Sequence, residues 1–98
     1  MKNMNRKPLS KEYLELTEIW NNTTKDVIVR NVERFLIIVF PECENFTSRQ
    51  YKLMEITGSK KDAVYAWLNN GRSNVKVPLY KLCMIAAELN VDVMEFLK

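Results

Sequence analysis

Histidine is absent from the 98 residues, and with it the commonest general base and metal ligand. Cysteine occurs only at Cys43 and Cys83, too few and too far apart for a disulfide framework or a zinc site, so a reducing cytoplasm is the expected compartment. Two Gly and three Pro are too few for a fibrous or linker protein, and a hydrophobic share of 47% is too high for disorder. The longest apolar run, residues 35–40, falls far short of the roughly 18 residues a membrane span needs. The N-terminus is basic and polar with no apolar stretch behind it, so it does not read as a signal peptide. No nucleophile–base pair and no carboxylate cluster suited to Mg²⁺ stands out, which argues against a small nuclease or recombinase, and no enzymatic activity, metal or cofactor is expected.

What remains is a chain long enough for one small domain, with a net charge of +3. The charge is unevenly placed. Residues 1–9 carry +3 and residues 47–76 carry +4, whereas the segments between and after them are slightly acidic. A basic arm and a basic central stretch suit a polyanion, although a solvated basic face has the same composition.

Apolar spacing and capping residues divide the chain into short helices, with no internal repeat. Ser10 is a candidate N-cap, with Leu9 and Leu14 as a hydrophobic staple and Tyr13, Leu16 and Trp20 at helical spacing. Thr23-x-x-Asp26 opens a second helix whose stripe is Ile28, Val32, Phe35, Leu36, Val39 and Phe40, ended by Pro41. For residues 35–40 a buried strand is the alternative that periodicity leaves open. Thr47-x-x-Gln50, stapled by Phe46 and Tyr51, starts a helix carrying Leu53, Met54 and Ile56 that stops at Gly58. Ser59-x-x-Asp62 opens the next, with Ala63, Val64, Trp67 and Leu68, and Asn70-Gly71 closes it. Pro78 reads as a first helical residue ahead of Leu79, Leu82, Cys83, Ala86 and Leu89, and Asp92-x-x-Glu95 caps a last short helix with Met94, Phe96 and Leu97. The expectation is an all-α bundle of five to six short helices. Cys83 falls on a core stripe and Cys43, near a helix end, reads as exposed.

The turn at residues 57–59 is the feature with functional content. A glycine there permits a left-handed backbone, so two helices meet in a tight corner. The apolar residues of both face inward, leaving Lys60, Lys61, Asp62 and Tyr65 on the outer face of the second helix. A helix held this way matches the width of a DNA major groove.

Residues 47–97 resemble the lambda-repressor-like (Xre/Cro-type) helix-turn-helix family. The matching stretches are residues 53–58 (LMEITG), 64–72 (VYAWLNNGR), 78–82 (PLYKL) and 85–91 (IAAELNV), with residues 25–40 as the family's first helix. The resemblance implies a helix-turn-helix domain over 25–98 preceded by a basic arm and extension helix over 1–24. It further implies a sequence-specific, phage- or mobile-element-type transcriptional regulator that binds double-stranded DNA as a homodimer. By the same resemblance Gln50 touches DNA from the start of the first motif helix, Lys61, Asp62 and Tyr65 face bases, and Asn69 and Arg72 contact the backbone. Arg72 and Lys76 are natural phosphate binders. The chain departs from the family pattern at the cap: Ser59 stands one position early and Lys60 occupies the usual serine site, which shortens the turn and alters the phase of Lys60 and Lys61. The main rival is a protein-binding module on the same scaffold (an antirepressor, an anti-defence inhibitor or an adaptor), a reading that gains if Trp20, Phe35, Phe40 and Phe96 gather in a surface apolar patch. Surfaces for a second copy are the 10–20 helix (Leu14, Trp20) and residues 93–97.

Overall fold

A computed structural model describes residues 11–69 and 74–98. The elements are α1 (Lys11–Asn22), α2 (Lys25–Val39), a 3-10 helix (Pro41–Glu44), α3 (Phe46–Thr57), α4 (Lys61–Leu68), α5 (Leu79–Leu89) and a second 3-10 helix (Val93–Phe96). The protein is all-α, with no strand among the described residues. Residues 35–39 belong to α2, so the strand alternative is resolved in favour of the helix.

α2 is the spine of the domain. Its stripe of Ile28, Val32 and Leu36 is completely inside, joined by Val29, while Phe35 is half-buried and meets Phe96 edge-on at 5.9 Å. The expected stripe departs from the core at its end: Val39 is exposed, and Phe40 packs against the core from the C-cap position just beyond the helix. Pro41 then forces the chain out of the α-helix and into a 3-10 turn. α3, α4 and α5 close around this spine through Leu53, Val64, Trp67, Leu68, Leu82, Ile85 and Leu89. The C-terminal segment is drawn under α2 by the buried Asn31 amide, which donates to the Phe96 carbonyl (3.1 Å) and the Lys98 carbonyl (3.3 Å).

Local capping differs from the sequence expectation at several ends. Thr24, not Thr23, caps α2; the Thr23 hydroxyl bonds back to the Ile19 carbonyl of α1. Asn45 caps α3 by accepting from the Ser48 amide at 2.8 Å, so Thr47 and Gln50 form no capping box. Phe46 does not staple Tyr51; its ring meets Tyr65 edge-on at 5.8 Å. Asn carries a short acceptor and can displace a Thr two residues on as the cap, which local pattern alone cannot rank. Pro78 is the residue before α5 rather than its first. Asp92 caps the last helix as expected, though that helix is 3-10. The Ser10 cap, the Leu9 staple and the Asn70-Gly71 stop lie outside the described residues.

Candidate nucleic-acid interface

α3 and α4 are joined by three residues, Gly58, Ser59 and Lys60. Gly58 adopts φ +67°, the left-handed conformation that lets its N–H close onto the Met54 carbonyl while the chain turns. Thr57, buried beneath, receives the Ser59 amide on its hydroxyl at 3.3 Å. Ser59 therefore shapes the turn and does not cap α4. The N-cap is Lys60, with no side-chain hydrogen bond, so the Ser59–Asp62 capping box is not formed.

The inner face of α4 is fixed by Val64, Trp67 and Leu68, all buried. Its outer face presents Lys60, Lys61, Asp62 and Tyr65, each exposed, with Tyr65 at 47%. Tyr51 joins this surface from α3: it is exposed, and the Lys61 ammonium lies 5.9 Å from its ring centre. Sequence reading assigned Tyr51 to a staple and so missed it. Its outward signal was available, because it stands two residues before the buried Leu53 and next to an inward Gln50.

Of the expected contact residues, Gln50 is differently employed, Asn69 is held at its backbone, and Arg72 is not reached. Gln50 is only 4% exposed and directs its amide to the Lys61 carbonyl at 3.5 Å, tying α3 to the first turn of α4. It has no surface to offer a phosphate. Asn69 is half-buried at the end of α4 and its carbonyl accepts from the Lys25 ammonium at 2.8 Å. Arg72 lies outside the described residues.

Lys76 is the clearest correction. Its ammonium donates to the carbonyls of Trp20 (2.6 Å), Thr23 (2.8 Å) and Asn21 (3.4 Å), and sits 4.2 Å from the Trp20 ring centre. It caps the C-terminus of α1 instead of facing solvent. Two other lysines do the same for their neighbours. Lys25 donates to Ala66 (2.6 Å) and Asn69 at the end of α4, and Lys81 to Thr57 (2.7 Å) at the end of α3. Each cation satisfies last-turn carbonyls that the helix leaves open and meets the negative end of its dipole. Burial pushes the Lys25 and Lys76 ammonium groups below the usual lysine range, with Asp26 opposing this at Lys25.

This thins the positive surface that composition suggests. In residues 47–76, Arg49 is paired with Glu33 at 3.1 Å and also donates to the Cys43 and Glu44 carbonyls, and Lys52 is paired with Glu55 at 3.3 Å. Among the described residues of that stretch, the basic side chains left outward without an acidic partner are Lys60 and Lys61, both on the α4 face. Elsewhere, Cys43 proves buried rather than exposed, at 1%, and its thiol contacts the Ser48 carbonyl. Among the described residues, no helix is long and apolar enough to cross a membrane, and no group of three His, Cys, Asp or Glu side chains could hold a metal.

No family model matches this chain, and no curated sequence or solved structure matches it. The helix-turn-helix reading therefore rests on the residues and geometry given above.

Proposed function

We propose that this protein is a sequence-specific DNA-binding regulator that lays α4 in the major groove. The observation that carries the reading is the division of α4 into a buried face and a free one. Val64, Trp67 and Leu68 anchor the helix, while Lys60 at the end of the turn and Lys61, Asp62 and Tyr65 on the helix stand outward. Lys61 can donate to guanine O6 and N7, Asp62 can accept from cytosine N4, and Tyr65 offers a ring and a hydroxyl one turn further on. Lys60 flanks the groove and suits a phosphate. So few base contacts from one copy call for two, on half-sites about 34–36 Å apart or a multiple of that. For the second copy, α1 exposes Leu14 (52%) and Ile19 (37%), whereas Phe96 and Leu97 are buried and leave the C-terminal segment little apolar surface.

The protein-binding alternative gains no support from Trp20, Phe35, Phe40 and Phe96, because Phe96 is inside and the other three are half-buried. It keeps one supporting feature, the outward Ile38 (65% exposed) flanked by Ile37 and Val39 at the end of α2.

Fluorescence anisotropy with random duplex DNA at several salt concentrations tests the proposal, with light scattering for oligomeric state. The expected result is binding whose logarithm falls steeply with log salt. Lys61→Ala with Tyr65→Ala should then lower the ratio of specific to non-specific affinity, and Arg72→Ala should weaken all DNA about equally. Absence of binding at low salt refutes the reading and turns attention to a protein partner of the Ile38 surface.

A further inference from the structure

α1 is attached in an unusual way. A helix added to enlarge a core would bury an apolar stripe, yet none of the twelve residues of α1 is fully buried. Its strong attachments are gathered at its last turn and the corner leading into α2. The Trp20 indole N–H donates to the Val77 carbonyl at 2.8 Å. Lys76 donates back to the carbonyls of Trp20 and Thr23 and stacks on the Trp20 ring. Just beyond the corner, Lys25, at 9% exposure, holds the carbonyls of Ala66 and Asn69. These partners bracket one segment: Ala66 and Asn69 lie where α4 ends, and Lys76 and Val77 lie where the chain approaches α5.

We infer that the α1–α2 corner is a brace between the far end of α4 and the approach to α5. Lys25 holds the Ala66 and Asn69 carbonyls, Trp20 holds the Val77 carbonyl and Lys76 holds the end of α1, so the far end of α4 and the approach to α5 are tied to one corner. Trp20, Lys25 and Lys76 are positioning residues. On the proposal that α4 reads DNA, on which this inference rests, the brace sets how the last turn of α4 is held against the groove. It also gives the extension a role within the reading head, distinct from a solvent arm.

The test separates a brace from a phosphate contact. Trp20→Phe keeps the ring and removes the indole donor; Lys76→Met keeps the aliphatic stem and removes the charge. A brace predicts that both variants weaken DNA binding by on the order of three- to tenfold, the size expected when a contact segment is loosened rather than removed. The salt dependence should stay as in the wild-type protein. If Lys76 instead touches a phosphate, Lys76→Met alone weakens binding and flattens the slope of log K against log salt by about 0.9, which overturns the brace. A second readout needs no DNA. Amide exchange at Asn69, whose N–H bonds to the Tyr65 carbonyl at 3.0 Å, should rise several-fold in Trp20→Phe, while Phe40, bonded to the Leu36 carbonyl at 2.7 Å, stays protected. Unchanged exchange at Asn69, or an equal rise at Phe40, overturns the brace. A wild-type protein that ignores DNA overturns the functional reading and leaves the brace to be decided by exchange.

Discussion

Replacing Lys25 with Met removes an ammonium from a nearly closed site while keeping its stem. Two last-turn carbonyls of α4, those of Ala66 and Asn69, lose donors at 2.6 and 2.8 Å. A buried acceptor left unmet costs about 1–3 kcal/mol, and the lower end applies to a helix terminus that water can partly reach. Loss of the charge at the negative end of α4 adds about 0.5 kcal/mol. Against this, Met needs no desolvated ammonium, which returns about 1 kcal/mol. The net expectation is a loss of roughly 1–2 kcal/mol, which for a domain of this size lowers Tm by roughly 4–16 °C. Thermal unfolding at neutral pH, followed by circular dichroism and tryptophan fluorescence, measures it. The pH dependence supplies a second check. Burial holds the Lys25 pKa below 10.5 in the folded state, so the unfolded chain binds that proton more tightly. The titration contribution is absent below the depressed folded pKa, grows as pH rises through it, and is complete above 10.5. The neutral amine still has two N–H groups for the two carbonyls. The margin of the wild-type protein over Lys25→Met should therefore widen, not narrow, as pH is raised toward 10.5. An unchanged or raised Tm at neutral pH refutes the clamp, and a margin that shrinks with pH refutes the assigned desolvation.

Gly58→Ala should cost about 1 kcal/mol, purely from placing a Cβ on a left-handed backbone, because nothing lies within 4 Å of where that Cβ would be. Urea unfolding measures it, and a loss several times larger would show that the turn has less room than described. Cys43 should resist a thiol reagent until the protein unfolds, since it is buried and its thiol pKa is pushed up, first by desolvation. Half-buried Cys83 should label earlier, so native-state labelling followed by mass mapping separates the two, and early modification of Cys43 would contradict its placement.

Much of the architecture was legible locally. The stripe of α2, the glycine at the α3–α4 corner, the inward Trp67 and the Leu79-to-Leu89 core helix all follow from spacing, because a helix with apolar residues three and four apart has one way to bury them. The outward Lys60, Lys61, Asp62 and Tyr65 follow from the same phase, as the residues left when Val64, Trp67 and Leu68 turn inward. Caps were less legible, since Thr23 and Thr24, or Asn45 and Thr47, offer similar oxygens within a turn and the packing of the incoming chain selects between them. What sequence could not reveal was which cations are engaged inside. Lys25, Lys76 and Lys81 look like any surface lysine, and Lys76 is counted in the basic stretch of residues 47–76 that suits a polyanion. Their partners lie 24 to 56 residues away, and only the tertiary structure brings each beneath the open carbonyls of a helix end. The sequence by itself determined the helices and the face α4 turns outward, because those depend on neighbours three or four residues apart. The tertiary structure alone decided that Lys76 and Gln50 hold the domain together, because a side chain's hydrogen-bond partner is set by distance in space.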